Sequence, residues 1–281
     1  MIIAFNSLGI ILSFQLPTWY FNEEIRASEE LFKDAFKSYS VTGSIISTGC
    51  CILSILLMKS KPKIPPSLSQ QTQKSFNFSI KKSIANIFKN TSFILLLISF
   101  ICTNGFYNFY PVIINDYLNV YFIDQKEISY IFIFCLTGGC FGIFVMSIIV
   151  DSLRIYKFPC LILNGLMIFS FSIFTALLEM FNENNENIQA FILIICSIFY
   201  GFSLMSLYTV SIDFACELTF PIGESISIAL MHVSSQTAGA ASTFLINYFL
   251  TSFERYKFLP NLFSIALFVI SMVALFFVKG K

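Results

Sequence analysis

Long apolar runs alternate with short polar breaks along this chain. The first run is IIAFNSLGIILSFQLP, starting at Ile2, and seven more cover roughly 39–58, 92–114, 128–150, 158–179, 188–212, 225–250 and 259–278. A hydrocarbon layer about 30 Å thick takes about 20 helical residues to cross, so each of the eight runs reads as a transmembrane helix. Breaks within the last six runs are short, as in a compact helix bundle. Two earlier breaks are longer. The first, Thr18 to Lys37, carries EEIRASEELFKDAFK, which reads as an amphipathic helical piece. The second, Lys59 to Asn90, holds Pro62, Pro65, Pro66 and a Ser/Gln tract, which reads as a flexible linker. Its last part, SIKKSIANIFKN, has the pattern of a basic amphipathic helix lying along a membrane surface.

Composition agrees with this pattern. Hydrophobic residues make up 56% of the chain, charged residues 12%, and the mean hydropathy is +0.78. A soluble domain carries about twice that charge, so the sequence describes an all-α, multi-pass membrane protein whose first partner is the lipid bilayer. The eight cysteines lie inside or beside apolar runs and read as small apolar residues. With one histidine and no CxxC pair, neither a metal site nor a cofactor is expected. No nucleic-acid partner is expected either. No span carries an acid–base pair or a nucleophile constellation, so the chain is not read as an enzyme.

Charge orients the spans. With both termini in the cytosol, the inside segments hold eleven of the seventeen basic residues, seven of them lysines between Lys59 and Lys89. They hold only four of the sixteen acids, Asp151, Asp213, Glu217 and Glu224. This bias follows the positive-inside rule; whether the membrane is the plasma membrane or that of an organelle stays open. The triplets Asn77-Phe78-Ser79 and Asn90-Thr91-Ser92 then fall in the cytosol, where neither would be glycosylated.

The stretch SIDFACELTFPIGESISIALMHVSSQTAG, from Ser211, concentrates polar chemistry between two apolar runs. His232, Ser235, Gln236 and Gly239 are spaced three, one and three residues apart, which puts them on one helix face. A polar stripe on a membrane helix faces a water-filled cavity or another helix. In TNGFYNFYP, Asn104, Tyr107 and Asn108 share a face, and Pro111 loosens the backbone beyond them. One reading is a pore-lining ring with two amides, suited to a cation; the other is hydrogen-bonding glue between helices. In GGCFGIFVMSIIVDSLRIYK, Gly138, Gly139 and Gly142 allow close helix approach, and Asp151 and Arg154 suit a cytosolic latch as well as ordinary loop decoration. The absence of carboxylates and basic side chains deep in the spans argues against a proton relay and fits a facilitator.

At these residues the chain resembles a known family. ELTFPIGESISIALMHVSSQTAG is similar to the turn between the tenth and eleventh helices of the feline leukemia virus subgroup C receptor family, whose pattern is close to E-[IL]-T-[YF]-P-x-x-E. MKSKPKIPPSLSQ, SIKKSIANIFKNTSFILLLISF and the glycine-rich segment match in the same order, with similar separations. The resemblance implies a major facilitator-type bundle of twelve helices, with the eight spans here corresponding to helices five to twelve and the first four lacking. Residues 1–58 would then be the last two helices of the N-terminal half, 59–90 a cytosolic basic linker with an amphipathic helix, and 91–281 the C-terminal six-helix half. It further implies import of choline or ethanolamine, or export of haem. Gln236 matches the family's glutamine that contacts the quaternary amine, and Tyr107 its seventh-helix tyrosine. The fifth-helix glutamine appears as Ser7, beside Asn6, which leaves choline selectivity open. Trp19 lies at the outer boundary of the membrane, where aromatic anchoring accounts for it.

The expected function is a carrier moving a small organic cation by alternating access. The expected substrate contacts are Tyr107, Gln236, Asn104, Asn108, Ser7 and His232, and the expected cytosolic gate is Asp151, Arg154, Asp213, Glu217 and Glu224. A haem or porphyrin exporter, or a non-transporting truncated membrane receptor or regulator, are the alternatives.

Overall fold

The computed structural model describes Gly9, Tyr20–Phe21, Ile25, and the segments 28–57, 80–119, 125–180, 186–252 and 258–279. These residues form eight helices: α1 Glu29–Leu57, α2 Ile80–Ile87, α3 Thr91–Asn119, α4 Gln125–Leu153, α5 Lys157–Glu179, α6 Glu186–Thr219, α7 Glu224–Ser252 and α8 Leu259–Phe277. Seven of the eight expected spans are therefore seen as helices; the one from Ile2 to Pro17, and with it Ser7, lies outside the described residues. So do Trp19 and residues 59–79 of the linker. Six of the described helices are long and apolar enough to cross a membrane. The long helix not among the six is α7, whose Ser225, Ser227, His232, Ser234, Ser235, Gln236 and Thr237 lower its hydropathy.

The chain divides into two compact units, residues 4–68 and 69–281. In the first, the amphipathic piece from Glu29 on and the second span are one continuous helix, rather than a loop element followed by a span. No proline interrupts Glu29 to Leu57, and the Phe32 amide donates to the Ser28 carbonyl at 2.9 Å, starting the helix well before the apolar run. Four of the hydroxyl side chains inside α1 are satisfied locally. Thr42, Ser44, Thr48 and Ser54 each donate a hydroxyl proton to the carbonyl four residues back, at 2.7–2.9 Å. A helix that meets its own hydrogen-bonding needs can lie in hydrocarbon.

In the second unit α3 packs on α7, α4 on α6, α5 on α6, and α8 bridges α3 and α5. The α4–α6 crossing is made by glycine. A Cβ at Gly138 would run into the backbone of Ile198, and one at Gly201 into the backbone of Cys135. Gly142 similarly abuts Phe202 and Ser206. The two backbones therefore touch, which side chains would prevent. Between α3, α5, α6 and α8 an aromatic core forms around Phe106, with ring centroids 5.0 Å from Phe268, 5.4 Å from Phe171 and 6.1 Å from Tyr200, all edge-on. Such edge-to-face pairs add about 0.5–1.5 kcal/mol beyond the area they bury. One level nearer the start of α3, Ser271 joins three helices: its hydroxyl accepts from Asn164 Nδ2 at 2.5 Å and lies 2.7 Å from Ser99 Oγ.

The turn from α6 to α7 explains the threonine of its motif. The Thr219 hydroxyl donates to the Ala215 carbonyl at 2.8 Å or shares a proton with Ser227 Oγ at 2.7 Å. Asn90 ties this turn to α3. Its Nδ2 donates to the Leu218 carbonyl at 2.8 Å while its Oδ1 accepts from the amides of Ser92 and Phe93 at 3.0 and 3.3 Å. That is an N-cap, meeting two of the amides a helix start leaves unpaired.

Candidate functional site

The polar residues singled out on α3 and α7 meet at one crossing, and glycine again makes it possible. Gly105 lies against Ala238 and Gly239, and a Cβ added at Gly239 would stand 3.0 Å from Asn108 Cβ and 3.1 Å from the Gly105 carbonyl. With the backbones this close, short amide side chains reach across. Asn104 Nδ2 donates to Ser235 Oγ at 3.0 Å, and Ser235 donates to the His232 carbonyl at 3.0 Å. One turn further along, Gln236 Nε2 donates to Asn108 Oδ1 at 3.4 Å. The two layers differ in exposure: Asn104 and Ser235 are buried, whereas Gln236 is exposed on the open face of this unit.

The hydrogen bonding here is incomplete. Asn104 Oδ1 and Asn108 Nδ2 are buried and have no hydrogen-bond partner among the described residues. An unpaired buried amide group costs about 1–3 kcal/mol, so these atoms mark places where a further polar group would be stabilising. No carboxylate or ammonium belongs to the crossing. It offers neutral dipoles.

Tyr107 and His232 complete the same neighbourhood through a residue that the sequence did not single out. Tyr208 of α6 places its hydroxyl 3.2 Å from His232 Nε2. Its ring stacks on Phe100 at 5.7 Å, and His232 meets Phe100 edge-on at 6.2 Å. The half-buried Tyr107 lies within electrostatic reach of Tyr208 and of Cys135 and Cys140 on α4. Tyr107 itself has no ring partner among the described residues, which leaves its face unused by the aromatic packing around it. Neither Tyr208 nor Gly105 carries a signal in sequence: one is an aromatic in an apolar helix, the other a lone glycine. Gly201, likewise unremarked, became visible only as the counterpart of Gly138.

The charged residues expected at the gate gather at the end of the bundle where α3 begins and α6 finishes. Tyr156, between α4 and α5, stacks flat on Phe214 at 5.8 Å. Burial raises its phenol above the usual range, and the carboxylates of Glu217, Asp213 and Asp151 raise it further, against an opposing pull from Arg154. Those four charges, from the ends of α4 and α6, therefore all lie within electrostatic reach of Tyr156. Among the described residues, Asp151, Asp213, Glu217 and Arg154 form no ion pair with one another. Arg154 has φ 51°, in the left-handed region, where it ends α4 with its amide donating to the Val150 carbonyl at 2.8 Å. Glu224 opens α7, where its charge complements the helix start.

The similarity to known proteins extends over most of the chain. It is 28% identical over 242 residues to the choline/ethanolamine transporter FLVCR1 of Felis catus, covering 85% of this chain and 42% of that protein. It is 28% identical over 247 residues to the choline/ethanolamine transporter FLVCR2 of Rattus norvegicus, covering 85% and 43%. An uncharacterized MFS-type transporter of Caenorhabditis elegans is 24% identical over 278 residues, covering 98% of this chain and 45% of that protein. No family model matches the chain. The chain thus spans less than half the length of these relatives. The resemblance read from its motifs is borne out, and the all-helical architecture is that of a major facilitator-type membrane bundle.

Proposed function

We propose that this chain forms part of a carrier that moves a small organic cation of the choline or ethanolamine kind by alternating access. The observation that carries the reading is the α3–α7 crossing, where Asn108 and Gln236 meet 3.4 Å apart on an open face. A quaternary amine cannot donate hydrogen bonds, so it is held by aromatic faces and oriented dipoles. Tyr107 would supply the ring face and Gln236 a dipole, with Asn104 and Asn108 shaping the cavity. His232, held by Tyr208, would support the wall. The names of the similar transporters support the same substrate class.

We assign the end carrying Asp151, Arg154, Asp213, Glu217 and Glu224 to the cytosol, where these residues act as a gate against the facing bundle. Partly exposed charge pairs of this kind contribute about 1 kcal/mol or less. Asp151→Asn should then shift the conformational balance without unfolding the protein; unchanged cysteine accessibility from the cytosolic side would rule the gate out.

Uptake and binding of labelled choline by cells expressing the natural transcript test the substrate site. A ring close to a desolvated cation contributes about 2 kcal/mol, so Tyr107→Leu should weaken choline about thirtyfold while Tyr107→Phe keeps most of the affinity. Gln236→Ala should weaken cationic substrates and leave folding intact. If Tyr107→Leu binds choline as the parent does, the cation site is elsewhere; if haem competes and choline does not, the substrate class is wrong.

A further inference from the structure

The short helix α2 and the α6–α7 turn enclose a crevice that the transport reading does not use. Ser83 and Ile87, one turn apart, are the buried face of α2, which packs on α7. The crevice has a volume of about 310 Å³ and is lined by Asn86, Ile87 and Asn90 on one side and by the 218–222 turn on the other. That is within the range of small-ligand sites, about 300–1,000 Å³. Asn90 is held rigidly by its cap and its bond to Leu218, so its wall of the crevice is preformed.

Two further features belong to the same segments of chain. Lys82 stands one helical turn before Asn86, Lys89 immediately precedes Asn90, and Lys81 neighbours Lys82; all three are exposed, with no acidic partner among the described residues. Ile80, Phe88 and Phe220 are large apolar side chains left 67%, 48% and 59% exposed at the same end of the bundle. A cationic cluster beside exposed apolar side chains, at the level where a membrane bundle meets water, matches a molecule with an anionic head and an apolar tail. A soluble anion would have no use for the three apolar side chains.

We propose that this crevice is a binding site for an anionic phospholipid, with the phosphate and its carboxylate or further phosphate groups held by Lys81, Lys82 and Lys89, the amide of Asn86 at the crevice wall, and the acyl chains running past Ile80, Phe88 and Phe220. The anionic leaflet faces the cytosol, so the physiological form of the inference rests on the cytosolic assignment above. Occupancy would splint α2 to the α6–α7 turn and so to α7, the helix that carries Gln236.

Native mass spectrometry of the purified, delipidated protein in neutral detergent, titrated with phosphatidylserine or phosphatidylcholine, tests the site. Each lysine near an anionic surface is worth about a fivefold change in affinity, so Lys81→Gln, Lys82→Gln and Lys89→Gln combined should weaken phosphatidylserine about a hundredfold. Lys33→Gln with Lys37→Gln, in the other unit, should leave it unchanged, as should any of these variants with phosphatidylcholine. Equal loss in both variant sets, or equal binding of the two lipids, overturns the proposal. Displacement of the lipid by millimolar inorganic phosphate would reassign the site to a soluble anion and also overturn it. A melting temperature measured alongside distinguishes loss of the site from loss of the fold. Orientation is read separately: Ala85→Cys labelled by an impermeant reagent from outside intact cells would sink the cytosolic assignment while leaving the detergent measurement to judge the site.

Discussion

The α4–α6 and α3–α7 crossings both depend on glycine, yet only the second carries an array of polar side chains. At α4–α6, Gly138, Gly139, Gly142 and Gly201 bring backbone onto backbone, and the side chains against them are those of Met205, Phe202 and Ser206. At α3–α7, Gly105 and Gly239 bring the helices together so that Asn104, Asn108, Ser235 and Gln236 can reach across. Close packing in lipid is driven by van der Waals contact, which the first crossing uses fully. Among the described residues the second leaves two amide atoms unpaired, Asn104 Oδ1 and Asn108 Nδ2, against the single hydroxyl of Ser206 at the first. Amides at such a crossing serve as glue between helices or as groups that meet a ligand, and the unpaired atoms favour the second role. The pair therefore separates a structural joint from a candidate binding joint within one bundle.

The largest effect is expected from breaking the structural joint. Gly201→Leu forces a side chain into the Cys135 backbone, and overpacking that the backbone must absorb costs about 3 kcal/mol or more. Thermal unfolding in detergent should show it as a large loss of folded protein; a melting temperature within a degree of the parent would mean that the helices do not touch as described. Next comes Asn104→Ala, which leaves Ser235 without its buried partner and should cost about 1–2 kcal/mol. Because one of the two Asn104 polar atoms is already unpaired, the loss should be smaller than for Gly201→Leu. The opposite order would mean that the polar crossing is the main structural support.

Gly165 serves as the contrast to both crossings. The nearest atom to a Cβ there is the flexible end of Met272 at 4.0 Å, so Gly165→Ala should stabilise α5 by up to about 1 kcal/mol through helix propensity alone. Destabilisation in an unfolding assay would reveal a crossing role for this glycine. The smallest effect is expected for Tyr208→Phe, which removes the 3.2 Å contact with His232 and keeps the ring stacked on Phe100. Interhelical hydrogen bonds in membrane bundles average about 0.6 kcal/mol. A loss several times larger would make Tyr208 and His232 a principal support of the site wall.

Much of the architecture was legible from hydropathy. The runs near 92–114, 128–150, 158–179, 188–212 and 225–250 each sit inside one helix of the bundle, and 259–278 overruns its helix by one residue. Their ends were not legible, because α1, α4 and α6 continue past the apolar core wherever no proline or capping residue stops them. Spacing put Asn104, Tyr107 and Asn108 on one face of α3, and the structure divides that face. The two asparagines turn to α7, while Tyr107 lies toward α4 and Tyr208.

What the amino-acid order determined by itself is therefore local: which segments suit hydrocarbon, which carry a polar stripe, and where turns such as Phe220-Pro221 must fall. Hydrophobicity and helical period act over one or two turns and need no partner. Which stripe meets which helix was decided only by tertiary packing. Gly105 matters because Gly239 lies opposite it, and Gly138 because Gly201 does. Tyr208 matters because His232 comes within 3.2 Å from another helix. Such pairings depend on how close two backbones can approach, and that distance is a property of both helices together.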